Sequence, residues 1–154
     1  MPIVKFKNTR FNPEHTQFLR IAKQMAEAFG YTAKDLKTDR KLAQLIRLQV
    51  AQKNECAYCI ILHAKTAREI GIPEEKVDNI SSWYNSELFT TKEKAALAYC
   101  DALTEGTKVG FQKFHQAMTQ YFPEDEIAEI AAIVINMNVW TRLKLAQGET
   151  PYFE

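Results

Sequence analysis

Apolar residues recur along this chain at intervals of three and four, the spacing that places side chains on one face of an α-helix. The pattern predicts an all-α fold, a bundle of about seven helices in one domain spanning residues 1–154. The expected helices are 12–30, 39–53, 56–70, a short segment from 73, a segment from 90, 111–121 and a long segment from 123. No stretch alternates with period two for long enough to predict a strand.

Capping signals indicate where several of these helices begin and end. Asn12 followed by Pro13 and an acid is typical of a helix start. Thr90 and Glu93 have the spacing of a capping box, in which each side chain bonds the backbone N–H of the other residue. Asn54 tolerates the left-handed conformation, so we expect the break between the second and third helices there.

The last helix is apolar almost all round between residues 127 and 139. A helix of this kind is buried in its own domain or in a contact between subunits. Its apolar positions exceed one stripe, which predicts a homo-oligomer. The positions concerned are Ile127, Ile130, Ile133, Val134 and Met137.

The balance of charge excludes several classes of partner. The chain has 20 basic and 19 acidic side chains, so no net field attracts nucleic acid or an anionic membrane. The longest apolar run, residues 130–135, is far too short to cross a bilayer. The N-terminal residues lack the apolar segment of a signal peptide, so we expect a cytoplasmic protein without membrane or nucleic-acid partners.

The candidate chemistry lies in Cys56, Cys59 and His63, at the start of the third predicted helix. At 100° per residue, Cys59 lies about 60° and His63 about 20° from Cys56, so the three side chains share one stripe. The first turn of a helix favours a thiolate, which is the reactive form of cysteine. An imidazole one turn beyond Cys59 can exchange a proton with it. The pattern predicts redox chemistry at sulfur, with the Cys56–Cys59 disulfide as the redox group and no cofactor.

Two other interpretations of the cysteines remain open. A pair at this spacing can consist of small buried hydrophobic residues. Two cysteines and a histidine also supply three zinc ligands, but a structural site needs a fourth. The other candidates, His15, His115 and Cys100, form no recognisable metal-binding spacing, so no metal is expected. Cys100 lies on the apolar side of its helix and is predicted to pack in the core.

Three segments of the chain, taken in order, resemble one family. They are residues 48–59 followed by His63, residues 89–99, and residues 138–143. The last segment is similar to an Asn-x-Trp-Asn-Arg stretch, with Thr141 in place of the second Asn. On these residues the chain resembles the AhpD-like, or carboxymuconolactone decarboxylase, family.

The resemblance implies an AhpD-like helical bundle that assembles into trimers or hexamers. It also implies a thiol-dependent peroxidase in which Cys59 attacks a hydroperoxide substrate, Cys56 resolves the product and His63 relays protons. The reductant would be an external dithiol, such as a lipoyl domain or a thioredoxin-like protein.

One position departs from the family pattern. Peroxidase members carry a Glu twelve residues before the first cysteine, where this chain has Gln44. Glutamine can orient an imidazole by hydrogen bonding but cannot accept its proton. A histidine sometimes found between the cysteines is replaced by Tyr58. Two alternatives therefore stay open: a helical oligomer that senses oxidant or binds a ligand without turnover, and a lactone decarboxylase, which does not need the cysteine pair.

Overall fold

The computed structural model describes residues 1–154 and contains the predicted bundle of seven α-helices. A 3₁₀ helix at Ile80–Asn85 and two short strands complete the chain. The elements are β1 (Val4–Asn8), α1 (Gln17–Phe29), α2 (Arg40–Lys53), α3 (Ala57–Glu69), α4 (Glu74–Asn79), α5 (Thr91–Glu105), α6 (Phe111–Thr119), α7 (Glu124–Gln147) and β2 (Glu149–Phe153).

Helix α2 lies at the centre of the bundle and packs against α3, α5 and α7. Every residue from 42 to 51 is buried, including the polar Gln44, Arg47 and Gln49. One face of α2 joins a core cluster with α5, α6 and α7 that also contains Cys56 and Cys59. A smaller cluster lies between α2, α3, α4 and α5. The start of α3 is therefore held against the most buried helix of the molecule.

Most of the predicted helix ends are confirmed. The Asp39 side chain accepts hydrogen bonds from the backbone N–H groups of Lys41 and Leu42, and α2 begins at the next residue, Arg40. Thr90 and Glu93 form the predicted capping box at the start of α5. Gly30 ends α1, and its N–H donates to the carbonyl of Ala26.

One predicted helix boundary is wrong. Helix α1 begins at Gln17 with Thr16 as its N-cap, because the Asn12 side chain caps a tight turn at Glu14 and His15 has a φ of 67°, outside the helical region. The break between α2 and α3 lies at Asn54, as predicted, but the left-handed residue there is Glu55, with a φ of 51°, whereas Asn54 stays right-handed with a φ of −87°. The side chain of Asn54 instead donates to Asn138 and Thr141 of α7, which holds it in place.

The structure also contains two strands that the sequence pattern does not predict. β1 and β2 form an antiparallel ribbon that pairs the two ends of the chain, in register from Val4 opposite Phe153 to Asn8 opposite Glu149. Each strand has five residues and most of their side chains are exposed, so no buried face marks them in the sequence. Their pairing is long-range, which local periodicity does not record.

The apolar residues of α7 that predict an oligomer are all buried inside this one chain, so they leave no surplus surface. The exposed large apolar side chains of α7 are instead Ile135 and Leu145, which are 49% and 43% exposed. No helix is long and apolar enough to span a bilayer.

Candidate active site

Cys56 and Cys59 are joined by a disulfide at the start of α3. Cys56 is the N-cap residue, and the backbone N–H of Cys59 donates to its sulfur at 3.4 Å. Glu55 reverses the chain immediately before the pair, which lets α3 begin against α2. The Cα atoms are 5.2 Å apart, a normal spacing for a disulfide. Both cysteines are almost completely buried, at 1% and 3% exposure.

A cavity of about 200 Å³ lies between α1, α3 and α7. Cys59 and His63 line it, whereas Cys56 does not, so the two sulfurs have different surroundings. Most of the other wall residues are apolar or aromatic. The complete set of these other wall residues, polar ones included, is Ala26, Gly30, Tyr31, Tyr58, Leu62, Asn136, Met137, Trp140 and Lys144.

A chain of three buried side chains runs from Arg47 through Gln44 to His63. The Nη1 group of Arg47 donates to Gln44 Oε1 at 3.1 Å. Gln44 Nε2 lies 3.1 Å from His63 Nδ1 and donates to the backbone carbonyl of His63 at 3.0 Å. Because an arginine only donates and a carbonyl only accepts, the amide of Gln44 has one chemically consistent orientation.

This orientation fixes the tautomer of His63. The amide N–H of Gln44 faces Nδ1, so Nδ1 must accept and the ring proton must be on Nε2. His63 therefore offers an N–H donor rather than a free lone pair at Nε2. A carboxylate at position 44 would impose the opposite tautomer, since it would accept a proton from Nδ1.

The electrostatics keep His63 neutral. Burial, together with the positive charge of Arg47, lowers the pKa of His63 to about 4. Arg47 is only 3% exposed and has no carboxylate partner; its Nε and Nη2 donate to the carbonyl of Phe29. Burial also lowers the pKa of Arg47 to about 10. An imidazolium would face both this cation and the donor group of Gln44, so its charge is disfavoured.

The ribbon of β1 and β2 packs against two residues that line the cavity, Tyr58 and Lys144. The ring of Phe6 in β1 packs edge-on against Tyr58, with centroids 4.9 Å apart. Lys144 lies over the same tyrosine ring at 4.6 Å, and Glu149 of β2 holds its ammonium group at 2.6 Å. Desolvation raises the pKa of Tyr58. Tyr58 is thus held between the ribbon and α7, beside Cys59.

Sequence reasoning found Cys56, Cys59, His63 and Gln44 and missed the rest of this site. Asn136, Trp140 and Lys144 are spaced by four on α7, so they lie on one helical face. Polar residues at such a spacing inside an apolar helix are a signal that could have found them. Arg47 carried a weaker signal, since only its position on a fully buried helix makes it unusual.

The remaining cysteine and histidine candidates lie elsewhere. Cys100 is buried in the core, 3.8 Å from the carbonyl of Ile46, and burial raises the pKa of its thiol. His15 is exposed before α1, and His115 is half-buried on α6. No group of three His, Cys, Asp or Glu side chains is placed to hold a metal ion.

A helical bundle with a CxxC pair at the start of a helix that packs against a buried central helix is the arrangement of an AhpD-like domain. The chain belongs to the carboxymuconolactone decarboxylase family, whose sequence model matches residues 20–102. The matched region runs from α1 to α5 and contains both cysteines, His63 and Gln44.

Individual proteins are also similar to this chain. An uncharacterized protein of Bacillus subtilis (strain 168), YdfG, is 28% identical over 128 residues, covering 82% of this chain and 86% of that protein. A protein of unknown function from Agrobacterium tumefaciens, for which the role of antioxidant defence protein AhpD has been suggested, superimposes with a TM-score of 0.83. It is 23% identical, over 92% of this chain and 96% of that one.

A second solved structure, the debrominase Bmp8, superimposes with a TM-score of 0.73 at 18% identity. The match covers 85% of this chain and 69% of the debrominase. At these identities the two structures establish the fold that the chain shares with them.

Proposed function

We propose that this protein is a thiol-dependent peroxidase and disulfide oxidoreductase that works through Cys56 and Cys59. The observation that supports it is the unequal environment of the pair: Cys59 shares a cavity with His63, whereas Cys56 lies outside it, within reach of Cys59. The sulfur of Cys59 can thus react with a small oxidant in the cavity, and the sulfur of Cys56 can then form the disulfide with it.

In the first step of the proposed cycle, the sulfur of Cys59 attacks the terminal oxygen of a hydroperoxide. An S–O bond forms, the O–O bond breaks, and an alcohol leaves with the proton that the thiol has lost. The Cys56 thiol then displaces water from the Cys59 sulfenic acid, which gives the disulfide. An external dithiol, such as a lipoyl or thioredoxin-like protein, reduces this disulfide by exchange and is itself oxidised.

The proposed role of His63 follows from its tautomer. Its Nε2–H can donate a hydrogen bond to the thiolate or to the departing oxygen, and both carry negative charge during the reaction. With Gln44 as its neighbour, His63 stabilises charge in the cavity and does not remove the proton from Cys59. This differs from the proton relay that the family resemblance implies, and it predicts a slower peroxidase than a member with Glu at this position.

The decisive experiment measures hydroperoxide consumption by the reduced protein, with dithiothreitol or a dihydrolipoyl protein as reductant. We expect repeated turnover in the wild type and its loss in Cys59→Ser, while Cys100→Ser serves as the matched control that keeps activity. A single stoichiometric oxidation without turnover would contradict the enzyme and favour a redox-sensing oligomer.

Parallel reactions test the other chemistries of the fold. The reduced protein is incubated with 2,3,4-tribromopyrrole, the compound bound in a structure of the debrominase, and bromide release is measured. Carbon dioxide release from a carboxymuconolactone tests decarboxylation. Faster turnover in either reaction than with hydroperoxide would replace the proposed activity.

A further inference from the structure

Two residues in the wall of the Cys59 cavity each have a buried polar atom without a hydrogen-bond partner in the protein. Four buried side-chain atoms of the chain lack a hydrogen bond, and two of them, Asn136 Oδ1 and Trp140 Nε1, belong to residues that line this cavity. Asn136 is 1% exposed. Buried polar atoms are normally satisfied, so two unpaired ones beside a cavity point to a ligand.

The two atoms have complementary chemistry. Asn136 Oδ1 is an acceptor, whereas the indole N–H of Trp140 is a donor only. They lie four residues apart on α7 and so face the same side, and His63 Nε2–H adds a second donor from α3. A molecule that satisfies all three must carry both a hydrogen-bond donor and a hydrogen-bond acceptor. The hydroperoxide group, with one O–H and a second oxygen bonded to it, has this arrangement.

We propose that Asn136 and Trp140 form the subsite that binds the hydroperoxide group of a small alkyl hydroperoxide, a proposal that rests on the proposed peroxidase function. The terminal O–H donates to Asn136, and the inner oxygen accepts from the indole of Trp140. The inner oxygen is the one that leaves as alcohol when Cys59 attacks, so the indole N–H stabilises the charge that develops on it.

The size and lining of the cavity define the substrate class further. Its volume of about 200 Å³ is below the roughly 300–1,000 Å³ typical of pockets for drug-sized ligands. Ala26, Leu62 and Met137 supply apolar walls for a short alkyl group. The cavity therefore fits tert-butyl hydroperoxide better than hydrogen peroxide, which leaves these walls uncovered, or a long-chain lipid hydroperoxide, most of whose chain would lie outside the cavity.

A binding experiment tests the subsite without catalysis. The oxidised protein is titrated with tert-butyl alcohol, the product of that peroxide, while the two indole N–H resonances are followed by NMR. Trp83 is the internal control, because its Nε1 already donates to Asp101 at 2.9 Å. We expect a saturable shift for Trp140 alone, with an affinity about three- to tenfold weaker in Asn136→Leu. Equal shifts of both indoles, or no shift of Trp140, would overturn the proposal.

Kinetics test the same subsite in the reduced protein. Trp140→Phe keeps the ring and removes the donor, so kcat/KM for tert-butyl hydroperoxide should fall about three- to tenfold, as it should in Asn136→Leu. Alkylation of Cys59 by iodoacetamide should stay unchanged, and Trp83→Phe should retain full activity. Because Trp140→Phe preserves the packing, the test stands even where Asn136→Leu folds poorly.

The two proposals fail in distinguishable ways. Saturable binding of the alcohol without peroxide turnover would reject the peroxidase and keep the subsite as a binding site. Turnover that neither substitution alters would keep the peroxidase and reject the subsite.

Discussion

At the scale of single residues, Gln44 decides which nitrogen of His63 carries the ring proton. In Gln44→Glu the carboxylate would accept from Nδ1–H and from Arg47, so Nε2 would become the acceptor and could take the proton of Cys59. We expect a rise of about ten- to a hundredfold in peroxidase kcat/KM, part of the two to four decades typical of general acid–base catalysis. The ¹⁵N shifts of His63 would report the change of tautomer directly.

The matched control for this substitution is Gln52→Glu, the same change on the same helix at a residue that does not line the cavity. It should leave both activity and the His63 tautomer as they are in the wild type. Unchanged or lower turnover in Gln44→Glu, despite a switched tautomer, would show that proton removal by His63 does not limit the reaction.

The unequal surroundings of the two sulfurs predict which one is oxidised first. After peroxide treatment, Cys56→Ser should accumulate a sulfenic acid on Cys59, because no resolving thiol remains. The wild type should instead form the Cys56–Cys59 disulfide, which dithiothreitol reverses. Peptide mass spectrometry measures both products. The opposite assignment would follow from a sulfenic acid on Cys56, with activity retained, in Cys59→Ser.

The residues of the site differ in how far the sequence could predict them. Cys56, Cys59 and His63 follow from spacing on one helix, and Gln44 from a family position. Arg47 and Asn136 could not be predicted in the same way. Arg47 is important because no carboxylate pairs with it, and Asn136 because its Oδ1 has no hydrogen bond. Both facts depend on the three-dimensional surroundings of the residue.

At the scale of elements, local signals predicted the helices and long-range contacts determined the rest. The capping box of α5 and the Asp39 cap of α2 involve residues two or three apart, so they can be recognised in the sequence. The start of α1 was wrong because the same cap-type residue, Asn12, serves a turn as readily as a helix. The strands β1 and β2 depend on pairing between opposite ends of the chain.

The surface that supports the prediction of an oligomer lies on the exposed side of α1 and α7, and not at the buried residues of α7 that suggested it. Phe18 and Ile135, 55% and 49% exposed, flank an apolar groove of about 550 Å³ that also contains Leu103 and Val139. We expect a homo-oligomer, a trimer or hexamer by family resemblance, to cover this groove with another copy of the chain. Light scattering should then show that Phe18→Glu dissociates it.

A matched control is Leu88→Glu, which places the same charge at an exposed apolar residue away from the groove. This variant should keep the assembly of the wild type. If the wild type is monomeric at every micromolar concentration, the prediction of an oligomer is wrong.

At the scale of the whole molecule, the buried neutral His63 ties stability to pH. Its pKa is about 4 in the folded state and near 6.5 when exposed, so the unfolded state binds more protons between these values. The contribution of the neutral ring to the free energy of unfolding is fully present above pH 6.5 and is lost as the pH falls towards 4. At about 1.4 kcal/mol per pKa unit, the loss is about 3 kcal/mol.

Urea unfolding at pH 7 and pH 4.5 measures this dependence. His63→Gln should flatten it, whereas His15→Gln, a change at an exposed histidine, should leave the slope of the wild type. An equal slope in His63→Gln and the wild type would mean that other groups cause the loss of stability in acid.

The ribbon of β1 and β2 has a consequence for the motions of the molecule. It pairs Val4 with Phe153, so its formation closes a loop of nearly the whole chain, and it buries few side chains. A segment of this kind opens locally at a lower free energy than the core. In hydrogen-exchange experiments, the amide protons of β1 should therefore exchange far faster than those of α2.

Each opening of the ribbon also removes Phe6 from Tyr58, a wall residue of the Cys59 cavity, and we expect this to widen the access to Cys59. Entry of a substrate would then be limited by how often two distant ends of the chain separate, rather than by the chemistry at sulfur. Phe6→Ala should raise the alkylation rate of reduced Cys59 and the exchange rate of β1 by the same factor. Unequal factors would show that small molecules reach the sulfur by another path.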